Sequence, residues 1–209
     1  MENQIIPAII AKSNKEMERL IDSVKEYVER IQLDFMDGKF VDNKSLDFNL
    51  NLPDFKGHYE SHLMVKDPSD FIKNQITKID NFIVHYESDI DLENIISYIK
   101  EKDKKVSIAI NPDTKVKDIE KYINMIDMVL VMTVVPGFYG SKFLPEMLKK
   151  VKLLRKLRSD LIIEVDGGMN YEHILLAKNA GTNRFVSGSF IMKANNKKNR
   201  INKIRTLLD

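Results

Sequence analysis

Short apolar runs alternate with amphipathic stretches along the whole chain. Ile5 to Ala11, Arg30 to Met36, Tyr59 to Val65, Asn81 to Glu87, Val106 to Ile110, Met128 to Val134, Leu161 to Val165 and Arg184 to Ser187 are brief, β-branched and apolar on both faces. That pattern predicts parallel strands covered by helices. The segments between them carry apolar residues at helical spacing. Met17, Leu20, Ile21, Val24 and Val28 follow Ser13-Asn14-Lys15-Glu16, which has the form of a capping box. Phe71, Ile72, Ile76 and Ile79 follow Asp67-Pro68-Ser69-Asp70, with Pro expected at the first helical position. Further helices are predicted over 92–102, 116–126, 145–157, 171–179 and 197–208. The segment 39–57 is polar and irregular, with one helical turn expected near Leu46 to Leu50.

Eight strands alternating with helices favour a single (β/α)8 barrel, a TIM barrel, over residues 1–209. The rival is an open doubly wound sheet, which does not require the count to be eight. No linker or low-complexity tract interrupts the alternation.

Composition narrows the class. Lys and Arg number 33 against 31 Asp and Glu, a net charge of +2, so no overall field favours nucleic acid or a membrane surface. The basic C-terminal helix (Lys197, Lys198, Arg200, Lys203, Arg205) lacks aromatic interleaving and is expected to be a solvated face. With no Cys there are no disulfides and no thiolate-bound metals, in keeping with a reducing compartment. No apolar run approaches the roughly 18 residues of a membrane span, and Met1-Glu2-Asn3-Gln4 does not open a signal peptide. A cytoplasmic protein is expected, with a homo-oligomer left open.

In such barrels chemistry sits where strands end at the C-terminal face. Asp34, Asp37, His62, His85, Glu87, Asn111, Thr133 and Asp166 stand there. Side chains alternate along a strand, so Gln32 and Asp34 share a face, as do Glu60, His62 and Met64, and Glu164 with Asp166. Asp34 and Asp166 with His62 could bind a divalent metal, or act as acid and base on two sides of a small substrate. Asp34 could equally be a hydrogen-bonded structural carboxylate, His62 a buried histidine, and Met36, Met64 and Met132 core packing; His58 and His173 are expected at the surface. Glycines after three strands (Gly137 and Gly140, Gly167-Gly168, Gly188-Ser189) offer backbone N–H groups to a phosphate. The implied ligand is a small phosphorylated molecule.

These residues together resemble the ribulose-phosphate 3-epimerase family over essentially the whole chain. The family writes H-x-D-x-M-D-G-x-F-V where this chain has Gln32 to Val41. The likeness continues through His62-Leu63-Met64-Val65, Asn111-Pro112, Val131 to Val134 with Pro136-Gly137-Phe138, Glu164-Val165-Asp166-Gly167-Gly168, and Val186-Ser187-Gly188-Ser189. The resemblance implies a barrel of the ribulose-phosphate-binding type and inversion at C3 of a ketose phosphate. Asp34 and Asp166 would be the catalytic pair. Both, with His62, would hold a divalent ion (zinc, iron, manganese or cobalt), Gln32 being a further candidate ligand. Met36, Met64 and Met132 would line the reacting carbons, and Gly168, Gly188 and Ser189 would take the phosphate.

Four departures stand out. Gln32 replaces a metal-binding histidine, Ala8 a serine, Tyr139 a glycine, and Asp42 a proline. An amide oxygen is a weaker donor than imidazole to zinc-like ions, so a weakened metal site is expected. Ribulose 5-phosphate is the expected substrate. A ketohexose 6-phosphate such as allulose 6-phosphate, or sugar-phosphate binding with little turnover, is the alternative. A decarboxylase or aldol-type synthase would carry D-x-K-x-x-D, and Met36 stands where its Lys should be.

Overall fold

The computed structural model describes residues 2–45, 50–137 and 140–209. Among these, the strands β1 (Gln4–Ile9), β2 (Arg30–Met36), β3 (His58–Met64), β4 (Asn81–His85), β5 (Lys105–Ile110), β6 (Met128–Met132), β7 (Ile162–Asp166) and β8 (Arg184–Ser187) close into a parallel barrel in chain order. β8 pairs back onto β1, so the open doubly wound alternative is excluded. The register sets Asp34 beside His62, Met132 beside Asp166 and Ala8 beside Gln32. Residues from distant parts of the chain thereby reach one rim.

Helices α1 (Asn14–Asp22), α2 (Ser69–Gln75), α3 (Leu92–Glu101), α4 (Val116–Ile119), α5 (Leu148–Leu157) and α6 (Tyr171–Ala180) follow β1 and β3 to β7, and α7 (Ser189–Met192) and α8 (Lys197–Leu208) both follow β8; among the described residues no helix separates β2 from β3. Alternation along each strand divides the apolar residues in two. Leu33 and Phe35 of β2, Val129 and Val131 of β6, and Ile163 and Val165 of β7 point outward into the main core, against Met17 and Ile21 of α1, Phe71 of α2 and Val151 of α5. Phe35 and Phe71 meet with ring centroids 4.6 Å apart. Each such side chain contributes about 1.5–3 kcal/mol by leaving water. Inside the barrel, smaller clusters form around Ile83, Leu130 and Met132, and around Ile6, Ala8 and Val186.

The rest of the interior is polar. Glu60 and Glu164 are fully buried near the base, where Arg30 lies 3.4 Å and Arg184 3.9 Å from Glu60. Burial, reinforced by the charge of Glu60, pushes the Glu164 carboxyl well above its usual range.

Helix ends differ from the sequence pattern in instructive ways. Ser13 caps α1 by accepting from the Glu16 N–H, but Glu16 reaches back to the N–H of Lys12 rather than of Ser13. α1 stops at Asp22, and Val24 and Val28 are buried by a 3-10 turn, Lys25–Tyr27, instead. Pro68 is the residue before the helix, not its first. The predicted helix over 116–126 breaks into α4 and a 3-10 turn, Glu120–Tyr122, that keeps Ile119, Ile123 and Ile126 buried. Of the turn expected near Leu46 to Leu50, only Leu50 lies within the described residues, and it is buried. α7 was not anticipated, since four residues are too few to show a helical period.

Candidate active site

At the C-terminal rim Asp34 of β2, His62 of β3 and Asp166 of β7 converge. One donor atom from each lies within 4.8 Å of the others. His62 Nδ1 is 3.4 Å from Asp34 Oδ1 and 3.3 Å from Asp166 Oδ2. Beneath them the Gln32 amide donates one hydrogen bond to Asp34 and one to Asp166, each 2.8 Å long. Its oxygen is buried with no hydrogen-bond partner. Asp34 and His62 are buried, and Asp166 keeps 14% side-chain exposure, so the cluster opens upward only.

Burial and the neighbouring Asp166 charge raise the pKa of Asp34, against the hydrogen bonds from His62 and Gln32. Burial works against a charge on His62, but its hydrogen bonds to Asp166 and Asp34 outweigh that and lift it to about 10. Both directions mean that the cluster holds protons more tightly than its parts would in water. A divalent ion would replace those protons.

The residues suit such an ion. Two carboxylates and a neutral imidazole form a mixed oxygen and nitrogen set. Gln32 as placed offers hydrogens to the carboxylates. Its amide must turn over before the stranded oxygen could become a fourth ligand.

The cluster floors a cleft of about 430 Å³. Of the residues expected to contact substrate, Ala8, His62, Met64, Met132, Gly137, Gly140, Gly167, Gly168, Gly188 and Ser189 all line it. Met36 does not. It is buried beside Met64 in the β2–β3 register, and its N–H is held by Ser45 Oγ. Gln32 lies below the floor and Tyr139 outside the described residues. Asp37 shapes the rim, accepting from the N–H groups of Lys39, Phe40 and Lys66 at 2.8 Å each. Thr133 donates to the carbonyls of Asp166 and Gly167.

One wall is built from glycines. Gly167 has φ +116°, and a Cβ there would sit 2.4 Å from Val134 Cγ2; Gly168 has φ +69° with Phe143 Cβ 3.0 Å from such a position. Only glycine fits both. α7 starts opposite, and the first N–H groups of a helix have no partner within it. His173, expected at the surface, is instead half-buried and lines the cleft: its ring stacks on Phe143 at 4.0 Å and its Nδ1–H donates to Gly168 O at 2.6 Å. Sequence reasoning also missed Asn170 and Lys193, which line the same end. On the other side Asn43 Nδ2 donates to Gly137 O at 2.7 Å and ties the loops after β2 and β6 together.

The profile described as the ribulose-phosphate 3 epimerase family matches residues 4–192. The ribulose-phosphate 3-epimerase of Schizosaccharomyces pombe is 33% identical over 98% of this chain and 93% of its own length. That of Bacillus subtilis is 36% identical over 84% and 85%. The chain belongs to the ribulose-phosphate 3-epimerase family. It is accordingly an isomerase, a sugar-phosphate epimerase. A solved structure of 3-keto-L-gulonate-6-phosphate decarboxylase from Vibrio cholerae superposes with a TM-score of 0.73 over 100% of this chain and 98% of its own. At 14% identity that likeness shows the fold alone. Ala8 and Gln32, two of the positions singled out in the sequence, both fall in the site: Ala8 lines the cleft wall and Gln32 bridges the two carboxylates.

Proposed function

We propose that this protein interconverts ribulose 5-phosphate and xylulose 5-phosphate by moving protons at C3 between Asp34 and Asp166. The observation that carries it is two carboxylates from β2 and β7 converging on one point of the cleft floor with an imidazole beside them. A carbon held between the two carboxylates, one toward each of its faces, can lose its proton to one and regain one from the other on the opposite face. The raised pKa of Asp34 suits a group that must both take and give a proton. Met64 and Met132 give the reacting carbons an apolar, polarisable wall. Gly168, Gly188 and Ser189 receive the phosphate on backbone N–H groups at the far end.

Asp34, His62 and Asp166 would hold a divalent ion, and when bound it would supply positive charge to offset the negative charge that develops on the substrate oxygens. Gln32, donating to both carboxylates, makes that ion weakly held, and the same two hydrogen bonds keep the carboxylates apart and aligned without it. Ala8 in place of a hydroxyl leaves room at the sugar end, which favours a ketohexose 6-phosphate such as allulose 6-phosphate as the second candidate substrate. No helix among the described residues is long and apolar enough to cross a membrane. We place the protein in the cytoplasm with small phosphorylated sugars as its partners.

The test is incubation of the protein with each ketose phosphate in heavy water, following deuterium at C3 and the appearance of the epimer. The proposal expects both with ribulose 5-phosphate. Ligand-induced stabilisation without exchange on any substrate would point instead to a binding protein.

A further inference from the structure

Behind His62 lies a row of groups that the proton-transfer chemistry does not use. His62 Nε2 faces His85 Nε2 at 2.8 Å, and His85 Nδ1 faces Glu87 Oε2 at 3.1 Å. Both rings are fully buried and meet edge to edge, with centroids 5.0 Å apart and planes 23° from parallel. The other carboxylate oxygen of Glu87 accepts from the Asn111 N–H at 2.9 Å and from the Thr114 hydroxyl. That loop is itself clamped by Lys150 Nζ, which donates to the carbonyls of Asn111, Pro112 and Thr114 at 2.7, 2.7 and 2.6 Å.

The direction of every bond in this row follows from what each atom can do. A carboxylate only accepts, so His85 Nδ1 carries the hydrogen between them. Two ring nitrogens 2.8 Å apart hold one proton between them. An ion on His62 Nδ1 would displace the hydrogen that faces Asp34 and Asp166 and need a lone pair there, so the one proton left on that ring would sit at Nε2 and be donated to His85 Nε2. Each group thus sets the tautomer of the next.

We infer that Glu87 and His85 are positioning residues that fix His62 in the one tautomer able to ligate an ion through Nδ1. This rests on Asp34, His62 and Asp166 being the metal centre. It also bears on Gln32: with one imidazole in the set, the orientation of that imidazole governs affinity. Partners of this kind are typically worth about 10–100-fold in metal affinity.

Glu87→Gln reverses the row without changing its shape. The amide oxygen must serve Asn111 and Thr114, so the NH2 group faces His85 Nδ1. His85 then donates from Nε2, and His62 is left with a hydrogen on Nδ1, toward Asp34 and Asp166. Glu87→Ala removes the anchor but imposes no reversal. Cobalt(II) would be titrated into each purified full-length protein against a competing chelator, with melting temperature as a check on folding. The expected result is a loss of about 10–100-fold for Glu87→Gln and a smaller loss for Glu87→Ala. A role in packing alone predicts the opposite order, because Ala leaves a hole and Gln does not. In the zinc-loaded protein, nitrogen NMR shifts should show His62 protonated at Nε2 in the wild type. Wild-type affinity in Glu87→Gln, a larger loss in Glu87→Ala, or a wild type that takes up no cobalt would each overturn the inference. The titration uses no sugar and no turnover, so its failure leaves the heavy-water test of the proposed function to stand or fall separately.

Discussion

At position 32 an amide stands among charged groups, with both its hydrogens on carboxylates and its oxygen stranded. Replacing it tests whether the metal site is weak for the reason given. Gln32→His should tighten zinc binding by roughly tenfold or more, since imidazole brings a nitrogen donor where an amide offers hydrogens. An unchanged affinity on titration would show that residue 32 lies outside the ion's reach. For the carboxylates, Asp34→Asn and Asp166→Asn should each lower epimerisation by about 10²–10⁴-fold while the fold persists. The place of Asp34 among the rim groups was legible in the sequence because a carboxylate at the end of an apolar strand needs partners to offset its burial. The bond from Gln32 to both carboxylates was not, because it depends on how β2 faces β7 across the barrel.

The elements show where periodicity runs out. Strand order and the eightfold alternation could be read from apolar runs because parallel strands are buried on both faces. Helix ends could not, because α1 and α4 give way to 3-10 turns that bury the same apolar residues. Met36 shares the inward face of β2 in sequence, yet the strand ends there with its backbone bonded to Ser45, and Met36 is buried beside Met64 and not among the residues that line the cleft. The glycines after β7 were readable as a turn at the strand's end, but their necessity comes from Val134 and Phe143 pressing against them. Gly167→Ala should therefore destabilise by about 1–3 kcal/mol and weaken binding of inorganic phosphate. Denaturant unfolding and a phosphate titration measure the two effects. Wild-type stability would mean that Val134 moves aside freely.

Across the molecule, the outer core and the barrel interior do different work. The outer core is continuous around the barrel, and we propose that residues 1–209 fold as one unit, giving a single transition by fluorescence and circular dichroism alike. The interior carries a cost at its base. Glu164 is buried without a hydrogen-bond partner and its carboxyl is raised well above its ordinary value of 4.5. A folded-state pKa above the unfolded one contributes stability that is present below about pH 4.5 and lost as pH rises. Glu164→Gln should therefore melt higher than the wild type at pH 8, with the gap closing toward pH 4.5. Equal melting temperatures at both pH values would mean that Arg30 and Arg184 already neutralise it.

The pairing of Asp34 with Asp166 is tested most directly by proton exchange in heavy water with each epimer of the pentulose phosphate offered separately. If each carboxylate serves one face of C3, Asp34→Asn and Asp166→Asn should both epimerise about 10²–10⁴-fold more slowly, and each should still exchange the C3 proton of one epimer, a different epimer for each variant. Retention of exchange with the same epimer by both variants, or epimerisation at the wild-type rate by either, would contradict the two-carboxylate account.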